Sequence, residues 1–163
     1  MKKIFAMLAA ILFCGSMMVS CSKDDDKTTD DPQFPTKTDM AGTWTGTYQG
    51  TAEIDDNNEN YTVSWTLQLN PEGSPNVGSL SYTASVNGME DVNNQVVVNN
   101  YYTLQNTTKG RICLTGGMMV GIVDDMIDFY IDLGAKTMTG SLQVSLNTGE
   151  DMVTLGGETI LRK

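Results

Sequence analysis

The chain contains no histidine. That absence removes the commonest general base and the commonest metal ligand near neutral pH. Cysteine is almost as scarce, with Cys14, Cys21 and Cys113 as the whole complement. Positive charge is short as well: ten Lys and Arg stand against twenty Asp and Glu, a formal net charge of −10. Such a surface repels phosphate backbones, so nucleic acid is not an expected partner. No apolar run reaches the ~20 residues a membrane-crossing helix needs, and no stretch carries a convincing amphipathic helical period. What remains is a chain of 163 residues, the size of one domain, rich in alternating patterns.

The N-terminus is the first feature present rather than missing. Lys2 and Lys3 precede an apolar run from Ile4 to Val19. The run is short and its basic flank is N-terminal, as in a secretory signal peptide, with a retained membrane helix as the alternative. Val19-Ser20-Cys21 then places a small residue directly before a cysteine, and Ser22, Lys23, Asp24, Asp25 and Asp26 turn the chain abruptly polar. This order resembles the lipobox and export signal of surface lipoproteins of the Bacteroidota, with Met18 where most lipoboxes carry Leu. The resemblance implies that Cys21 becomes a lipidated N-terminus at the outer membrane, exposed at the cell surface, with the membrane as partner. The other reading is a signal peptide cut near Ser16 or Ser20 without a lipid. Several acyl chains on one cysteine give stable anchoring where a single chain does not.

Cleavage before Cys21 would leave eight basic and twenty acidic residues, a net charge of −12. Cys113 would then be the only thiol, so no intramolecular disulfide could form and the fold would rest on its core. Residues 1–20 are therefore expected to be the signal peptide. Residues 21–40, with their Asp, Lys and Thr content and Pro32 and Pro35, are expected to form a flexible acidic tether. Residues 41–163 are expected to be the folded, monomeric domain.

Within that domain, Ala41 to Ile54 alternates strictly. Trp44, Gly46, Tyr48, Gly50, Ala52 and Ile54 share one face, and threonines dominate the other. Glycines on the dry face allow bending or close approach of another layer. Asp55 to Asn60 reads as a polar connection. Its oxygen side chains resemble a calcium loop, but Asn60 stands where the sharp turn needs Gly, and no metal is expected. Tyr61 to Leu69, Leu80 to Val86, Ile127 to Leu133 and Met138 to Leu146 alternate in the same way, and Met152 to Leu161 closes the chain. Val96 to Leu104 is β-rich in either register, since Val96-Val97-Val98 and Tyr101-Tyr102 serve both faces. Eight or nine strands punctuated by turns define an all-β chain, a single antiparallel barrel or sandwich.

Gly42 and Trp44, in a Gly-x-Trp arrangement at the head of the first strand, resemble the opening of lipocalin-like (calycin-type) barrels. The resemblance implies a barrel of about eight strands with Trp44 across its closed end and a late basic residue, Arg162, against it. An eight-stranded interior is either filled by side chains or holds one small ligand. Tyr48, Trp65, Tyr82, Tyr102 and Phe129 are the bulky inward candidates and would form the core or line a pocket. Met118, Met119, Met138 and Met152 would add an adaptable apolar lining or fill gaps.

Catalysis is not expected. Cys113 alternates with Ile112 and Leu114 and has no recognisable base beside it. Asp124, Asp125 and Asp128 resemble a turn and a wet strand face rather than a catalytic carboxylate pair. No cofactor is implied. Two classes remain: a barrel that binds a small apolar or amphipathic molecule, and a non-enzymatic scaffold or protein- or glycan-interaction domain with a solid barrel.

Overall fold

The computed structural model describes residues 33–149 and 151–163. The expected signal peptide, Cys21 and most of the expected tether lie outside the described residues. Eight antiparallel strands close into one barrel in chain order. They are β1 (Gly42–Ile54), β2 (Asn57–Leu69), β3 (Gly78–Val86), β4 (Val92–Thr103), β5 (Lys109–Thr115), β6 (Met126–Asp132), β7 (Thr137–Asn147) and β8 (Met152–Arg162). Among the described residues no helix is long and apolar enough to cross a membrane.

Period-two patterning decides which face turns inward. On β2, Tyr61, Val63, Trp65, Leu67 and Leu69 are buried while Ser64, Thr66 and Gln68 are exposed. β3 and β7 do the same with Leu80, Tyr82, Ala84 and Val86, and with Leu142, Val144 and Leu146. Full burial of such side chains stabilises by roughly 1.5–3 kcal/mol each, so a one-residue slip of any strand would be strongly disfavoured. The connection from β1 to β2 is tighter than the polar run suggests. Asp55 and Asp56, both at positive φ (50° and 61°), make a two-residue turn, and Asn57 to Asn60 continue the ladder opposite Ile54 to Thr51.

Closure falls between β1 and β8, where Thr45 pairs with Arg162. Gly46 makes this seam possible: a Cβ there would stand 2.5 Å from the Ile160 carbonyl oxygen and 2.8 Å from Leu161 Cδ2.

The lower end, where β1 begins and β8 ends, is sealed. A single helical turn, Lys37–Met40, is capped by Thr36, whose hydroxyl and backbone N–H both engage the Asp39 carboxylate at 2.7 Å. Pro35 and Met40 are buried, Met40 completely. The folded unit thus starts before Ala41, because Pro35 and Met40 are buried beside the start of β1. The expected tether boundary is corrected accordingly.

The upper end is irregular for a reason of strand length. β5 and β6 have seven residues each, against twelve in β4 and eleven in β7. The first five residues of β4 therefore run beyond the top of β5, whose pairing begins at Val97 with Thr115. The connection from β5 to β6 fills this notch in the wall. It holds a short 3-10 helix, Gly117–Val120, and is stitched to β7 by an Ile122–Val144 bridge and a 2.6 Å bond from Ser145 N–H to Gly121 O.

Candidate functional site, the upper mouth of the barrel

Tyr82 forms the floor of the mouth. It sits on the inward face of β3 between Trp65 on β2 and Asn94 on β4, its register partners. Its ring packs against Trp65 at a centroid distance of 5.4 Å and a tilt of 48°. Its hydroxyl donates to Val120 O at 2.7 Å, and Asn94 Nδ2 donates to both Tyr82 Oη (3.1 Å) and Val120 O (3.3 Å). Val86, Val92 and Leu146 give apolar walls, with Met89, Glu90, Met119 and Asn147 around the rim of a depression of about 240 Å³.

Beneath the floor lies an unusual group. Trp65 is 1% exposed, and its indole N–H has no partner, the one such buried side-chain polar atom among the described residues. A buried donor left unsatisfied costs about 1–3 kcal/mol, and such groups are few in native folds and call for a physical reason. The other indole differs, since Trp44 Nε1 donates to Met40 O at 2.7 Å.

The five aromatic candidates do not share one pocket. Trp65, Tyr82 and Phe129 are buried in the interior. Tyr48 is half-buried and stacks on Tyr61 at 6.1 Å, near the β1–β8 seam, where Tyr61 Oη accepts the Gly156 N–H. Tyr102 is a correction. A register shift between Val98 and Asn100 puts one extra residue into β4, so Val96, Val98 and then Tyr101 point inward while Tyr102 faces Arg111 outside. Tyr101 is the core aromatic, and its hydroxyl donates to Asn70 O at 2.5 Å. Burial, with Glu72 nearby, raises its pKa above the usual phenol value.

At the closed end, Trp44 is buried, but the cation over its ring is Lys163, with Nζ 5.3 Å from the centroid. Arg162 is exposed and occupies the alternate, outward position, which corrects its expected role. Of the four methionines named for a lining, Met138 is buried, whereas Met118, Met119 and Met152 are exposed. Nothing in the sequence reading places the β5–β6 connection, Gly117–Val120, against Asn94. The alternation of Val92, Asn94, Val96 and Val98 was the signal that could have placed Asn94 inside.

Among the described acidic residues, Asp128 and Asp125 are engaged by other groups. Asp128 takes a two-pronged ion pair from Arg111 on the outer wall at 2.6 and 2.9 Å, which holds its carboxyl below the ordinary range. Asp125 Oδ1 accepts the Met118 N–H at 3.3 Å. Among the described residues no group of His, Cys, Asp or Glu has metal-binding geometry.

Charge is segregated along the barrel axis. Lys37, Lys109, Arg111, Lys136, Arg162 and Lys163 are all the cations of the described residues, and each lies at or near the lower end. The loops and strand ends of the upper end carry Asp55, Asp56, Glu59, Glu90, Asp91, Asp124, Asp125 and Asp151 and no cation. A mouth ringed by one sign of charge repels anions and draws cations.

Neither a family model, a curated protein nor a solved structure matches this chain.

Proposed function

We propose that this chain is a lipoprotein, anchored at the outer membrane through Cys21, whose barrel binds a small apolar or amphipathic molecule at its upper mouth. One observation carries the binding reading: an apolar-walled mouth converges on Tyr82 and Asn94, and the Tyr82 ring packs against Trp65, whose buried indole donor has no partner. Ligand sites of this kind combine apolar walls with a few placed polar groups. The protein acts by binding and not by catalysis, in keeping with the lack of histidine. Native mass spectrometry of the protein purified from its own host tests the reading. A retained organic molecule is the expected result, and a bare polypeptide mass at every activation energy would count against it.

A second reading rests on the outer wall. Tyr130 on β6 and Ile160 on β8, both exposed, flank Thr139 on β7 as direct register partners. Tyr130 and Thr139 border a shallow groove of about 440 Å³. In that reading the barrel is a solid scaffold, and this face meets a protein or a glycan.

A further inference from the structure

At about 240 Å³ the mouth is smaller than the roughly 300–1,000 Å³ that small-molecule pockets occupy. The same structure contains a segment whose displacement would enlarge it. Gly117–Val120 is bracketed by Gly116 and Gly121, both left-handed at φ 72° and 84°. Glycine alone takes that conformation without strain, so these positions can absorb a change in chain direction. Beyond Gly121 the chain is anchored, with Ile122 buried and bridged to Val144. Between the glycines, Met118 and Met119 are exposed, and the side-chain bonds to this segment end on Val120 O, from Tyr82 and Asn94, and on Met118 N–H, from Asp125. Val120 is the one apolar side chain of the segment that packs against the core, so its contacts and these bonds are what lifting must break. What it uncovers is the Tyr82 hydroxyl and the Asn94 amide, next to the Trp65 ring that packs on Tyr82.

We propose that Gly117–Val120 is a shutter in the barrel wall, and that the site beneath it takes an uncharged or cationic apolar molecule whose hydrogen-bond acceptor engages Trp65 Nε1. This deepens the binding reading above and rests on it. Trp65 sets the acceptor requirement, because its N–H is buried without a partner. The sign of the rim sets the charge requirement, because carboxylates surround the mouth and the cations lie at the other end. An anionic amphiphile would bring its head group into that field and is excluded.

The test uses three probes on the purified chain: prodan, an uncharged naphthalene ketone; its analogue with propyl in place of the propionyl group; and 1-anilinonaphthalene-8-sulfonate as the anion. Prodan is expected to bind at least fivefold more tightly than the propyl analogue, the range one neutral hydrogen bond gives. The sulfonate is expected to bind weakest. In 15N-labelled protein the Trp65 indole resonance, assigned by its loss in Trp65→Phe, shifts with prodan and not with the propyl analogue. This arm needs only the conservative Trp65→Phe variant, for assignment. Tyr82→Phe and Asn94→Ala each remove one of the two side-chain bonds to Val120 O, so prodan association accelerates about fivefold and amide exchange at Met118 to Val120 quickens. Binding of prodan with an unmoved Trp65 resonance and unchanged association rates would overturn the shutter and its anchor while leaving the binding reading intact. Tightest binding of the sulfonate would overturn the charge rule. No binding by any probe, in wild type or in the two released variants, would overturn both the proposal and the reading on which it rests.

Discussion

Trp44 is fixed by groups of three kinds: Met40 O takes its N–H, Lys163 lies over its ring, and Leu67 faces it across the ladder. Each predicts a different loss. Trp44→Ala empties a buried aromatic site and should cost about 3–5 kcal/mol. Lys163→Ala removes a cation–π contact and a 3.2 Å bond to Asp39 O and should cost about 0.5–1 kcal/mol. Arg162→Ala should fall within about 0.5 kcal/mol of wild type, as an exposed residue does. Urea midpoints check this order, and a larger loss for Arg162→Ala than for Lys163→Ala would reverse the assignment. Acid sensitivity belongs to the same scale. The Thr36 hydroxyl holds the Asp39 carboxyl below its usual pKa, and Arg111 does the same for Asp128. Lowered folded-state values contribute stability above the unfolded value near pH ~4, which is lost as pH falls through the folded value. Both groups are largely exposed, so screening keeps the effect small. Melting curves from about pH 5 to about pH 2 should show a shallower decline in Asp39→Asn/Asp128→Asn than in wild type.

The strands were legible in the sequence because each buries one face, and period-two alternation records that directly. Their register was legible only where the two faces differ in chemistry. Val96-Val97-Val98 and Tyr101-Tyr102 each serve both faces, with Asn99-Asn100 between them, so the pattern does not say that an extra residue in β4 exchanges Tyr101 for Tyr102. The β5–β6 connection was invisible for another reason: it fills a notch left because β5 and β6 stop short of β4 and β7, a mismatch that appears only once the barrel closes. Likewise Met40 lies outside any strand period, and its burial depends on the capped turn that carries it. Met40→Ala should therefore cost about 2–5 kcal/mol, although the residue precedes the first strand. Gly46→Ala should cost about 1–3 kcal/mol by forcing β1 from β8 at the closure seam. Thermal or urea unfolding checks both, and a neutral Gly46→Ala would mean the seam can relax.

At the scale of the whole molecule, the barrel has a sealed lower end that carries the cations and an irregular, acidic upper end. The described chain enters at the lower end, so an anchor upstream would leave the mouth on the opposite end of the barrel from the chain's start. Metabolic labelling with a fatty-acid analogue should mark the wild-type protein and leave Cys21→Ala unmarked; equal labelling would remove the proposed anchor. The proposed working surface is the mouth rather than the outer wall. Its most direct test is native mass spectrometry of wild type, Val92→Trp and Tyr130→Ala from the native host, each checked for an unchanged melting temperature. Val92→Trp fills the mouth with an indole, while Tyr130→Ala removes the exposed ring of the outer groove. The account predicts a retained small molecule in wild type and in Tyr130→Ala and its loss in Val92→Trp. Retention in Val92→Trp with loss in Tyr130→Ala would contradict it.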